Sequence, residues 1–184
     1  MADIQLGSLI FAPAKESTAL LAQSVADAVS VLPGIEAVGV SEIDPAVSDT
    51  AAFCAKYGTG PELAANCVIV EGKRGEERTM SAIVVLASTR ADINGVVRKF
   101  LDARKVSFAP MEEAVQKTGM EFGAITPVGL PADWPILIDA AVASSAYVII
   151  GSGIRKSKLA APGSFLASLP NATVIEGLGQ SRMQ

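Results

Sequence analysis

Gly151-Ser152-Gly153 ends the apolar run at residues 147–150 and is followed by Arg155, Lys156 and Lys158. Backbone N–H groups and cations in that order suit an anion such as phosphate. A plain turn is the other reading, because the glycines and helix of a complete Walker loop or dinucleotide fingerprint are missing. Asp139 closes the apolar stretch 136–139. A carboxylate there must find donors or solvent. It can grip a substrate amine, cap a helix over 140–144, or do both. Gly119, Gly123 and Gly129 with Pro127 form a third feature, a stretch in which backbone can approach a ligand closely and hold its amide groups rigidly. An elaborate turn is the alternative.

The chain has no histidine, so Ser-His-Asp and Cys-His nucleophiles and histidine-ligated metals are excluded. Cys54 and Cys67 can form one disulfide at most, and their spacing fits no zinc pattern, so two reduced thiols are expected. Net charge is -4, with two basic and seven acidic residues in 1–60 and thirteen basic and twelve acidic residues after it. The later basic residues bunch as Lys73-Arg74, Arg98-Lys99, Arg104-Lys105 and Arg155-Lys156 with Lys158. They either converge on a phosphate backbone or are solvated surface charge.

These residues need elements to position them. Leu21, Val25, Ala28, Val29 and Leu32 follow helical spacing from Ser17 until Pro33-Gly34 stops it. A short strand is expected at 36–40, then a helix capped at Ser48-Asp49 and stopped at Gly58. Residues 66–71 and 80–87 read as two strands of a hairpin around a polar turn. Asp92 can cap a helix with Val96, Val97, Phe100 and Leu101 on its apolar face, followed by a strand at 105–108. Pro110, Glu112, Glu113 and Gly119 bracket a helix over 110–118. Residues 123–131 hold too much Gly and Pro for regular structure and make a shaped loop. Strands at 136–139, 147–150 and 173–176, with a short helix at 164–169, complete the chain. The hairpin rules out a purely parallel wound sheet, so the expected fold class is α/β with a mixed sheet curled around one core.

With 184 residues, one domain spanning 1–184 is the default. No run of about 18 apolar residues is present to span a bilayer. Residues 1–13 lack the charged front of a secretory signal. A cytoplasmic protein is expected.

The stretch Lys117-Thr118-Gly119-Met120-Glu121-Phe122-Gly123-Ala124-Ile125-Thr126-Pro127-Val128-Gly129-Leu130 resembles the TG-x-x-x-G-x-x-x-P-x-G loop of the YbaK and prolyl-tRNA synthetase editing-domain family. The strand before it, the strand ending in Asp139 and the Gly-rich end at 149–153 resemble that family in order and spacing. The likeness is good over 66–176 and weaker over 31–65. It is absent for the first helix, which looks like an added element, so that 1–34 would be an N-terminal helical extension to a core of about 35–178. The resemblance implies a barrel-like mixed sheet with surrounding helices, and a free-standing, trans-editing deacylase that hydrolyses the ester of mischarged tRNA. Gly123, Thr126, Pro127 and Asp139 would then be catalytic, and Asn66, Ala124, Ile125, Gly151, Ser152 and Gly153 would bind substrate. It implies no metal and no cofactor. The partners would be the tRNA acceptor end and an aminoacyl-tRNA synthetase, with neither DNA nor membrane. The family carries a lysine before the hairpin as Lys-Thr or Lys-Asn, whereas this chain has Ala65-Asn66. The alternative is therefore a degenerate member that binds tRNA ends or a small aminoacyl or nucleotide ligand without turnover.

Overall fold

Two ten-residue strands with matched apolar positions and a two-residue connection dominate the computed structural model, which describes residues 3–47 and 49–181. In chain order the strands and helices begin with β1 (Ile4–Leu6), β2 (Leu9–Pro13), α1 (Gln23–Val31), β3 (Gly39–Glu42) and α2 (Thr50–Tyr57). The long hairpin follows as β4 (Ala65–Arg74) and β5 (Glu77–Leu86), then β6 (Thr89–Ala91). A π-turn at Ile93–Val97 leads into α3 (Arg98–Phe100), and β7 (Lys105–Phe108) and α4 (Met111–Thr118) precede the irregular loop. The last elements are β8 (Ile136–Asp139), α5 (Ala140–Ala143), β9 (Val148–Gly151), β10 (Ser157–Ala161), α6 (Gly163–Ala167), β11 (Ala172–Ile175) and β12 (Gly179–Ser181).

Two five-stranded sheets, ordered β1-β2-β3-β10-β9 and β11-β8-β5-β4-β7, are joined where Ala64 bridges Ile149. β8 runs parallel to both β5 and β11, while the other pairs in these sheets are antiparallel. The result is the expected mixed, curled, half-barrel sheet flanked by helices. All four residues of β8 are buried, as a strand covered on both faces requires. A main apolar cluster, including Val25, Val29, Ile138, Ile150 and Leu166, fills the concave side. A second cluster on the other face of β4, β5 and β8 includes Val70, Ile83, Leu137 and Leu178.

Local chemistry accounts for the boundaries. Asp49 caps α2, its Oδ1 accepting from Ala51 N and Ala52 N at 3.1 Å each, and Gly58 ends it at φ 65°. Ser48, expected to share that cap, lies outside the described residues. Gly119, at φ 67°, ends α4.

The N-terminal segment differs from the helical extension read in the sequence. It opens with the β1-β2 hairpin, turning at Gly7-Ser8, and β2 extends the first sheet by pairing with β3. Residues 17–21 form a short 3-10 turn rather than the first turn of the helix, and α1 starts only after Ala22, whose N–H is drawn to Ser152 O at 3.2 Å. The strand expected at 36–40 is displaced to 39–42, because Ile35–Ala37 makes a 3-10 turn after left-handed Gly34.

Candidate functional site

β7 covers the outer edge of β4 only along residues 70–73, so residues 65–69 border an opening where β4 and β9 part. The opening is a cleft of about 520 Å³. Its walls come from the start of α2, residues 65–69, the junction of β7 and α4, the loop at 122–125, and Gly151, Arg155 and Lys158. Most of the wall is apolar, with Phe108, Met111 and Phe122 largely exposed at the mouth. Among its polar members, Asn66 Oδ1 accepts from Thr50 Oγ1 at 2.8 Å, which ties the hairpin to the start of α2.

The loop is held against β9 by the absence of side chains. A Cβ on Gly151 would lie 2.6 Å from Ile125 O, so only glycine allows the loop carbonyls to pack there. Gly153 N donates to Ala124 O at 2.8 Å, Glu121 N donates to Gly153 O at 2.8 Å, and Arg155 N donates to Glu121 Oε2 at 2.6 Å. Gly129, at φ 82°, sits on the backbone of Ser24 in α1. Gly123 takes φ 81° at the cleft wall.

Two cations reach the cleft from the segment after Gly153. Arg155 is exposed at the rim and its Nη2 donates to Pro45 O at 3.3 Å. Lys158, on β10, is only 9% exposed, with Nζ 5.5 Å from the centre of the Phe53 ring. It also borders a small recess with Thr50, Phe53, Ala64, Ala65 and Ile149. Burial pushes its ammonium below the ordinary lysine range, Cys54 and Asp49 pull it back up, and Arg155 adds to the lowering. Burial also pushes the Cys67 thiol in the wall up to about 12, so it is no thiolate nucleophile near neutrality.

Of the residues expected to form the site, Asn66, Gly123, Ile125 and Gly151 line the cleft together. Ala124, Thr126, Pro127, Ser152 and Gly153 lie behind the lining as its support. Ala124 and Thr126 are buried, and Ser152 Oγ is spent on Ser157 Oγ at 2.7 Å and Ile154 O at 3.0 Å. Asp139 is not among the residues that line the cleft. It faces away from the cleft, on the Leu137 side of β8, and its Oδ1 accepts from Gly179 N at 3.1 Å. It occupies the N-cap position of α5, but its side chain makes no capping hydrogen bond. Sequence reading took Asp49 only as a helix cap and passed over Thr50 and the aromatic mouth. It read Lys158 only as one of the cations after the Gly-rich strand end, suited to phosphate or to solvent, although that residue's place within SKLAA, a strand whose other residues are small or apolar, marks it as unusual.

The model of the aminoacyl-tRNA editing domain matches residues 44–166, which include the cleft walls from Ala46 to Lys158. The chain belongs to that family. Among solved structures, the editing domain is similar to the crystal structure of a candidate trans-editing enzyme for prolyl tRNA synthetase, at 19% identity and a TM-score of 0.72, covering 87% of this chain and 97% of that one. A scaffold from computational epitope-backbone grafting gives a TM-score of 0.73 at 19% identity with the same coverages. A hypothetical protein gives 0.64 at 23% identity, over 72% of this chain and 85% of that one. At these identities the likeness is one of fold. No curated protein matches the editing domain.

Proposed function

We propose that this editing domain is a free-standing, trans-editing aminoacyl-tRNA deacylase. The observation that carries the reading is the cleft itself, walled by the backbone of Gly123 and Ile125 against Gly151 and lying within the family match. A cleft of about 520 Å³ accommodates an aminoacyl group and part of a terminal nucleoside. The reaction adds the oxygen of a water to the ester carbonyl carbon. The carbon–oxygen bond to the ribose then breaks, and the water's proton ends on the released ribose oxygen. With no histidine in the chain and the Cys67 thiol protonated, water is the nucleophile in this reading. Placing it against an already activated ester supplies much of the acceleration.

Asn66, Gly123, Ile125 and Gly151 are the proposed substrate contacts, and Thr126, Pro127, Ala124, Ser152 and Gly153 keep them in place. The acceptor end of mischarged tRNA is the partner, with a synthetase as a second one and the cytoplasm as the site of action. Among the described residues no helix is long and apolar enough to cross a membrane. Ala65 favours a second reading, a member that binds the same ligands without turnover.

The deciding experiment is deacylation of a panel of mischarged tRNAs by the purified protein. Turnover of one or a few is expected. It should be lost in Gly123→Val, which forces a branched side chain to φ 81°, and kept in Asp139→Asn, whose side chain lies outside the cleft. Binding of tRNA ends with no turnover of any panel member would move the reading to the non-catalytic binder.

A further inference from the structure

Burying an ammonium costs stability, and replacing a buried ion by an apolar residue is often neutral or favourable. Lys158 nevertheless stands in a strand whose other residues are small or apolar, with its backbone fixed between Ser41 of β3 and Gly151 of β9. Neighbouring Leu159 turns into the main core, while Lys158 borders the cleft and the recess beside Ala65. Ala65 and Lys158 line that small recess together, and Lys158 Nζ lies over the Phe53 ring. Arg155 is a solvated charge at the rim, whereas Lys158 is a desolvated one set into the wall, and field strength rises as water is removed.

Resting on the deacylase reading, we propose that Lys158 is the charge-bearing catalytic residue of this site: its Nζ donates to the carbonyl oxygen of the scissile ester and stabilises the negative charge that forms there. When the water oxygen bonds to the carbonyl carbon, the carbonyl π pair moves onto the oxygen held by Nζ. The pair returns as the bond to the ribose oxygen breaks, and the proton from water passes to that oxygen. Lys158 stays protonated throughout. The cation of this pocket thus comes from β10, beside Ala65 of β4.

The test combines steady-state deacylation of the best substrate in the panel with calorimetric binding of a non-hydrolysable amide analogue, 3′-aminoacylamino-adenosine, across pH. Lys158→Met keeps the stem and removes the charge. It is expected to lower kcat about 100-fold, the scale of losing one oxyanion donor, with KM little changed. Ala65→Lys alone crowds a second ammonium into the recess and also lowers kcat, whereas Ala65→Lys combined with Lys158→Met recovers about tenfold over Lys158→Met. Binding of the analogue should weaken as pH rises and Lys158 loses its proton, and this fall should vanish in Lys158→Met. Among the described residues, Asp49, Cys54 and Arg155 are the charged and titratable groups that shift Lys158, so Cys54→Ser, expected to keep the fall, separates the thiol's titration from the lysine's. A folded Lys158→Met that deacylates at the wild-type rate overturns the role of Lys158 and leaves the deacylase reading intact. If the wild-type protein turns over no ester, the deacylase reading fails, and the analogue decides the contact: a pH-dependent affinity lost in Lys158→Met supports it, and a pH-independent one overturns it.

Discussion

Glu71 shows how single residues divide between scaffold and chemistry. Its side chain is 3% exposed, yet it accepts from Lys73 Nζ and Arg78 Nε at 2.7 Å each, with both partners about half exposed. Burial raises its pKa, but the bonds from Lys73 and Arg78 outweigh that and hold it below the ordinary carboxylate value of 4.5. A depressed folded pKa contributes stability that is present above the unfolded value and is lost as pH falls through the folded one. Glu71→Gln should therefore cost about 1–2 kcal/mol at neutral pH. It should also flatten the loss of stability below about pH 4.5, measured by urea unfolding as a function of pH. Asp139 taught the opposite lesson in reading. A strand-ending acid was visible in the sequence, but the direction of its side chain follows from β8 pairing between β5 and β11 and from Gly179 N arriving from a distant strand. None of that is local.

At the scale of elements, what could be read was whatever carried its own punctuation. The β4-β5 hairpin, α2 with Asp49 and Gly58, and α4 with its acidic first turn and Gly119 were all legible, because caps and alternation act over a few residues. The β1-β2 hairpin was missed although its signal is there: two residues, Gly7-Ser8, between short apolar runs, with Gly7 at φ 58°. The helix start at Gln23 was hidden because it is set by the bond from Ala22 N to Ser152 O, 130 positions away. The loop at 122–130 was recognised by its glycines, but their purposes differ. Gly129 lets α1 approach the backbone, and an added Cβ would lie 2.7 Å from Ser24 C. Gly129→Ala should destabilise the protein by about 2–4 kcal/mol through left-handed strain and overpacking, read as a fall in melting temperature.

For the whole molecule, the N-terminal hairpin is part of the sheet. Leu9 and Phe11 pack with Ile43, Phe53, Ile149 and Ala160, so β2 backs the wall on which Phe53 meets Lys158. Deleting residues 1–13 should expose the edge of β3 and remove that packing. The expected outcome is a lower melting temperature and concentration-dependent association on size exclusion. A truncated protein that stays monomeric and melts like the full chain would show that the hairpin is dispensable. That the chain would form a mixed curled sheet was legible from the interleaved pattern and the hairpin. Which residues share the cleft was not, because its walls are drawn from the stretches 46–69, 108–125 and 151–158.

β10 lies between β3 and β9 in the first sheet, so strands from the early and late parts of the chain meet only through it. During synthesis, this sheet stays in two parts until residue 161 has left the ribosome, and every nascent chain shorter than that lacks a closed cleft. A ribosome stalled before β10 therefore carries a chain whose first sheet is still in two parts, and its closure waits on long-range strand pairing.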